Sequence, residues 1–474
     1  MTLTSFAYLL FLPIVFFIYW TFFNKDKNWQ NAFLLVANLV FYAWWDWRFM
    51  VLLLVTTGST FFIGRAIFQS ESAKKRKGLL LSALILNLGI LIYYKYLDFF
   101  IQSFVDIFSL VGIDLNISTL KIVLPVGISF YTFAALSYVI DIYQKKIEPT
   151  EDWLAYFTFV TFFPSLLSGP ISRSTKQLPQ YFQKRDLLFE NCSQACKMIL
   201  WGVFIKTCVA DKWGLYVDTI FNNYDKHNGT SLFLAQLFYT VQIYADFAGY
   251  SLIAIGSGKL LGIDLQENFH RPYFAKTVTD FWRRWHISLT TWFRDYIYFP
   301  LGGNRVPKLR WMFNTVIVFV ISGLWHGAAY TFLIWGALHG IVMVIERQIY
   351  GDKIKSIDSK FSMANLIRMF VTFNLVSFAW IFFRLDSIED AAYVIHSIFT
   401  YHDMPYIAEF RIILLGFVSM IIMIIKDHAD EYEWRFSLMN NKNVYIRYAT
   451  YITLICYILA CGELDGSSFI YFQF

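Results

Sequence analysis

Charge is what this chain has least of. Only 16% of its 474 residues are Asp, Glu, Lys or Arg, against about 25% in soluble globular proteins. Hydrophobic residues make up 57% and aromatics 20%, with a mean hydropathy of +0.48. That balance excludes an ordinary soluble domain, and nothing in the pattern argues for nucleic acid as a partner. Cysteine is scarce too, at five. Cys192 and Cys196 have helical spacing but no Cys/His pair nearby, and Cys208, Cys456 and Cys461 lie in apolar segments. They are expected to be small buried hydrophobes rather than a disulfide framework. There is no HExxH and no Cys/His quartet, so no metal is expected. No Gly/Ser linker, soluble domain or internal repeat is visible. The expectation is one integrated membrane domain over residues 1–474: N-terminal helices to about 120, a core over about 121–425, and a final span with an aromatic tail over about 448–474. The first apolar segment lacks a basic leader, and "WTFFNKDK" offers no small-residue cleavage site, so it is expected to be a retained helix.

What the chain does have is apolar runs near the roughly 20 residues a bilayer-spanning helix needs. They lie at 6–23, 49–68, 79–96, 122–143, 232–261, 313–345 and 448–461, with shorter runs between. The predicted fold is all-α and polytopic, with ten to twelve membrane helices plus interfacial helices. Short loops rich in Lys and Arg stay cytoplasmic, and "SAKKRKG" at 72–78 is the densest basic cluster. Residues 98–120, without Lys or Arg, then fall outside, and the span ending in "QKK" returns inward. Lys25 and Lys27 inside put the N-terminus outside, given an even number of crossings between 27 and 72. The charged stretch 425–447 is expected inside, which delivers the tail "GELDGSSFIYFQF" to the outer side.

Residues 268–311 hold eight Lys/Arg against two acidic residues, crowded with aromatics. On a wheel of 100° per residue, Trp282, Trp285, His286, Leu289, Trp292, Phe293 and Tyr296 share an arc of about 120°. Arg283, Arg284, Ser288, Thr290, Thr291, Arg294 and Asp295 take the other side, Ile287 being the exception. This reads as one amphipathic helix along the membrane interface, with His286 turned into the protein body. His286 then either hydrogen-bonds a buried backbone group or stands just inside an entrance for a phosphate-bearing ligand. The arginines anchor lipid headgroups or line that entrance. "FPLGGNR" breaks the helix at Pro300 and Gly302–Gly303, as backbone lining a cavity does.

Ionisable groups inside apolar segments are costly and mark function or a partner. Asp246 in "VQIYADFAGYS", with Gln242, Tyr244 and Tyr250 close by, is expected to pair with an arginine or to orient a histidine. "PVGISFYTFAALSYVIDIY" carries Ser129, Tyr131, Ser137 and Asp141, and "FFPSLLSGPISR" carries two prolines and a glycine. Together they suggest an enclosed polar tunnel. His326 in "SGLWHGAAY" precedes His339 in "WGALHG" by 13 residues. On one continuous helix they stand about 140° apart, so one serves a site and the other supports it. A neutral imidazole is the natural base for taking a proton from a hydroxyl near pH 7.

The motifs "PVGISFYTF", "GPISR", "QIYADFAGYS", "FWRRWHISLTTWFRDYIYFPLGGNR", "SGLWHGAAYTFLIWGALHG" and "FIYFQF" resemble the membrane-bound O-acyltransferases. Within that family the resemblance is to the bacterial branch that acetylates alginate or peptidoglycan or transfers D-alanine to teichoic acids. It runs from about residue 124 to the end. It implies a helical ring around a tunnel in a bacterial inner membrane. The family's characteristic histidine matches His326, and its second active-site residue matches His286. No resident cofactor is implied. Acetyl-CoA, or another acyl thioester, is the cytoplasmic donor, with His326 deprotonating the acceptor and His286 holding or polarising the acyl carbonyl. Trp325, His339, Asp246, Asp295 and Asn304 are the expected supporting residues, and Arg283, Arg284 and Arg294 would steer phosphates. Tyr471 matches a terminal acyl relay, passing the group to an extracytoplasmic SGNH-type transferase and then a polysaccharide. The rival for the tail is that residues 469–474 simply pack into the outer mouth. The rivals for the whole chain are a polysaccharide transporter or flippase, whose internal repeats are absent here, and a structural scaffold, for which His326 would be dispensable.

Overall fold

The computed structural model describes all residues except 116, 352–361, 435–436, 464–468 and 471–474. The described residues form helices and loops with no strand, in keeping with the all-α expectation. In chain order the helices are α1 (Phe6–Phe22), α2 (Lys27–Gln69), α3 (Ala73–Lys95), α4 (Leu97–Leu110), α5 (Ile128–Tyr143) and α6 (Trp153–Val160). The one-turn helices α7 (Phe163–Leu166) and α8 (Ser174–Gln177) follow, then α9 (Phe189–Phe204), α10 (Asp211–Phe221), α11 (Gly229–Leu260), α12 (Val278–Arg284) and α13 (Ile287–Phe293). The last six are α14 (Lys308–His326), α15 (Tyr330–Tyr350), α16 (Met363–Arg384), α17 (Ile388–Thr400), α18 (Phe410–Glu431) and α19 (Val444–Cys461). Many begin where a short polar side chain can take the first free N–H groups. Ser5, Asp26, Ser72, Asp152, Thr277, Ser362, Ser387 and Asn443 each accept such a bond.

Among the described residues seven helices are long and apolar enough to cross a membrane: α2, α3, α14, α15, α16, α18 and α19. The sequence runs suggested ten to twelve. Two of the predicted runs form apolar helices of only 17 and 16 residues, α1 and α5. A third became α11, whose 32 residues are diluted by buried Gln236, Thr240, Gln242 and Asp246. The 43 residues of α2 are broken at Asp46, with φ −159° and ψ 111°. Asp46 Oδ1 accepts the Arg48 N–H at 2.9 Å, restarting the helix. Each arm then has roughly the 20 residues of a single crossing.

The chain forms two compact units. One comprises residues 1–196 and 254–266, the other 197–253 and 267–474. The first is built on α5, whose residues are almost all buried, against α2 and α6. Tyr138 of α5 lies 4.3 Å from Tyr156 of α6, centroid to centroid. The second holds an aromatic core in which Trp213, Trp285, Trp335 and Trp380 are fully buried.

Within the second unit α14 and α15 form a hairpin packed on glycine. Small residues let helices approach closely in membranes, where apolar burial alone does not hold them together. A Cβ on Gly323 would overlap the Phe332 carbonyl, and one on Gly336 the Phe319 carbonyl. Gly323→Val and Gly336→Val should therefore cost about 1–3 kcal/mol through overpacking, lowering the melting temperature in detergent. Leu309→Val, at an exposed position, should stay within about 0.5 kcal/mol.

Candidate active site

The site begins with a corner in the chain. Thr277 caps α12, its Oγ1 accepting the Asp280 N–H at 3.0 Å. Glu346 of α15 accepts the Val278 and Thr279 N–H groups at 2.5 and 2.9 Å. A carboxylate there complements the helix dipole. The helix stops at Trp285, which is extended, and His286 turns left-handed at φ 42°, ψ 53°. For a residue with a Cβ that turn costs about 1–2 kcal/mol. The single amphipathic helix expected over 281–296 is thus two short helices and a π-helical turn, Arg294–Tyr298. The physical reason lies upstream. Asn268 takes the Ile287 N–H on its backbone oxygen at 2.9 Å, and the His270 N–H reaches the Arg284 carbonyl at 2.9 Å. A wheel drawn on the helix alone contains neither bond.

Asn268 also sets the chemistry of His286. Its Oδ1 accepts the Ser288 N–H at 3.2 Å and the Ser288 hydroxyl at 2.9 Å, and its Nδ2 donates to Ser251 Oγ at 3.2 Å. Oδ1 is therefore the amide oxygen. His286 Nδ1, 3.1 Å from it, must be the protonated ring nitrogen, which leaves the lone pair on Nε2. The ring is fully buried. Burial pushes its pKa down to about 3, so it is neutral at pH 7.

His326 closes α14, and Gly327 follows in an extended conformation. The break means that His326 and His339 lie on separate helices, not on one. The His286 and His326 rings are 6.2 Å apart, centroid to centroid. Around them stand Phe247, 4.7 Å from His286; Trp325, 5.0 Å from His326; Trp335, 5.1 Å; and Phe383, 5.4 Å. His339 also lies 5.1 Å from Trp335 and packs on Trp282. It supports the wall rather than joining the pair.

Asp246 is buried as predicted, but its partner is a lysine. Its Oδ1 lies 2.7 Å from Lys206 Nζ, which also reaches Asp211 Oδ1 at 2.6 Å. Its Oδ2 accepts the backbone N–H of Ile470 at 2.8 Å, not a histidine. Phe469 stacks on Tyr250 at 4.3 Å and meets Phe247 at 5.6 Å. The described part of the tail is therefore one ring away from His286. Tyr471 lies outside the described residues.

The remaining sequence candidates stand elsewhere. Arg283 is exposed. Arg284 is bound to Asp280 at 3.1 Å and Glu431 at 2.9 Å. Arg294 and Asp295 pair with each other at 2.8 Å, and Asn304 is exposed in the Gly302–Gly303 loop. Sequence reasoning missed Asn268, Ser288 and Lys206. Lys206, a lone cation in "ILWGVFIKTCVA", gave the same signal as Asp246. Asn268 and Ser288 gave none, being uncharged polar residues in a polar stretch.

The sequence profile of the MBOAT, membrane-bound O-acyltransferase, family matches residues 150–385, which include both histidines. A probable alginate O-acetylase from Pseudomonas putida is 36% identical over 83% of this chain and 79% of its own. A peptidoglycan O-acetyltransferase from Helicobacter pylori is 34% identical over 81% and 77%. A teichoic acid D-alanyltransferase from Bacillus subtilis is 28% identical over 54% and 68%.

Asn268→Ala should destabilise the protein by about 1–3 kcal/mol, since it strands buried donors. Ser251→Ala, which removes only one acceptor, should cost about 1 kcal/mol. Thermal unfolding in detergent measures both.

Proposed function

The chain belongs to the membrane-bound O-acyltransferase family and is a multi-pass membrane O-acyltransferase; from that premise we propose that it carries an acetyl group from cytoplasmic acetyl-CoA toward an extracytoplasmic polysaccharide. The observation that carries this reading is the pair of buried rings, His286 and His326, 6.2 Å apart inside an aromatic cage. The printed activities of the alginate and peptidoglycan relatives support the acceptor class, an alginate-like exopolysaccharide or peptidoglycan. The expected place of work is a bacterial inner membrane.

The chemistry follows from two imidazoles and a thioester. An acceptor hydroxyl enters between the rings and gives up its proton to the pair, as a neutral imidazole can accept it. Its oxygen bonds to the acyl carbon, the C–S bond breaks, and the pair returns the proton to the departing thiolate. Asn268 fixes His286 as an acceptor at Nε2, so both histidines handle the proton, with His326 as the base assigned by the resemblance. Water-poor aromatic walls raise the strength of each polar contact inside. The first acceptor is the hydroxyl of Tyr471, and an SGNH-type transferase outside the membrane takes the group onward. Splitting a transfer into two covalent steps is ordinary nucleophilic catalysis.

The test uses cells making matched membrane levels of wild type, His326→Ala or Tyr471→Phe. Base-labile acetate on envelope and secreted polysaccharide should fall by about 10²–10⁴-fold in the histidine variant, and to background in Tyr471→Phe. Unchanged acetate with His326→Ala would return the chain to a scaffold role.

A further inference from the structure

The C-terminal tail is held at two points, and both involve one distortion in the fold. Between α9 and α10 the chain makes a π-helix, Ile205–Ala210, in which the Asp211 N–H reaches the Lys206 carbonyl. The i→i+5 turn brings Lys206 and Asp211 to the same side, where an α-helix would separate them. Gly249 on α11 lets this segment come close. A Cβ there would meet the Gly202 carbonyl at 2.7 Å and Lys206 Cβ at 3.1 Å. Lys206 consequently lies between Asp211 and Asp246, all three buried. The Ile470 N–H, at 2.8 Å from Asp246 Oδ2, is a donor directed at it.

The second hold lies just past α19. The Glu463 N–H bonds the Thr207 carbonyl at 3.0 Å, inside the same π-helix. The Glu463 carboxylate is paired with Lys212 of α10. Gly462 has no room for a Cβ, which would come within 2.9 Å of Thr207 Oγ1.

We propose that Asp246, with Lys206 as its counter-ion, is a latch that seats the C-terminal tail beside the His286 ring. Asp246 is a positioning residue for the reaction. It holds the backbone immediately before Tyr471, while Phe469 wedges between Tyr250 and Phe247. The charged triad supplies a fixed, strong acceptor in an apolar interior, and the π-helix is what assembles it. The role in transfer rests on the reading of the tail as acyl acceptor; the docking itself does not.

The test leaves the triad intact and changes the tail. Ile470→Pro removes the N–H that Asp246 accepts, and Ile470→Ala keeps it. Purified full-length proteins in detergent are treated with a carboxypeptidase, and loss of C-terminal residues is followed by mass. The same preparations are given labelled acetyl-CoA, and label is mapped to the C-terminal peptide. Removing one hydrogen bond to a buried carboxylate should speed tail release by about 10–100-fold in Ile470→Pro. Ile470→Ala should stay within a few-fold of wild type. Asp246→Leu, if it folds, should match Ile470→Pro. Equal protection of Ile470→Pro and Ile470→Ala would overturn the latch. A protected wild-type tail that never carries label would overturn the acyl-acceptor reading and leave the latch standing.

Discussion

The amide of one asparagine determines the form of the catalytic region. Polar groups buried in an apolar interior must find partners within the protein, and Asn268 meets that demand for several at once. Its backbone oxygen and side-chain oxygen take the N–H groups of Ile287 and Ser288, which the corner at His286 frees from any helix. The same side-chain oxygen fixes the proton on His286 Nδ1. A backbone turn costing about 1–2 kcal/mol is thereby offset, and the imidazole enters the cage with its lone pair outward. Conformation and chemistry are set by the same few bonds.

A second polar assembly in the same unit works on a different principle. Lys206, Asp211 and Asp246 are charged groups whose desolvation must be balanced by tight pairing, and distances of 2.6 and 2.7 Å supply it. The other Asp246 carboxylate oxygen accepts a backbone N–H of the tail. Phe247 is the link between the two assemblies, touching His286 on one side and Phe469 on the other.

Much of this was legible in the sequence because its signals are composition and periodicity. The apolar runs gave the helical class, and the Gly302–Gly303 break and the glycines around His326 marked real ends of helices. Asp246 and His326 stood out because ionisable residues are rare in apolar segments. Among the described residues seven helices, not ten to twelve, are long and apolar enough to cross a membrane, in part because α11 reads as apolar while burying a polar seam. The corner at His286 was invisible for another reason. Its cause is a residue eighteen positions upstream, and a helical wheel carries only local information. The π-helix at Lys206 was equally hidden, since inserting one residue into a helix leaves no mark in hydropathy. Arg284, a basic residue on a polar face, is paired with Asp280 and Glu431, the second a carboxylate the helical wheel does not bring to it.

In the proposed reaction the histidine pair moves a proton from a hydroxyl on the chain itself to the thiolate of the donor. Rapid mixing of purified protein with acetyl-CoA, with release of free thiol followed before any polysaccharide or partner is added, tests this most directly. The reaction predicts a burst approaching one thiol per chain in the wild type and none in either His286→Gln or His326→Gln. A folded wild type without a burst, or a burst that survives loss of both imidazoles, would contradict it.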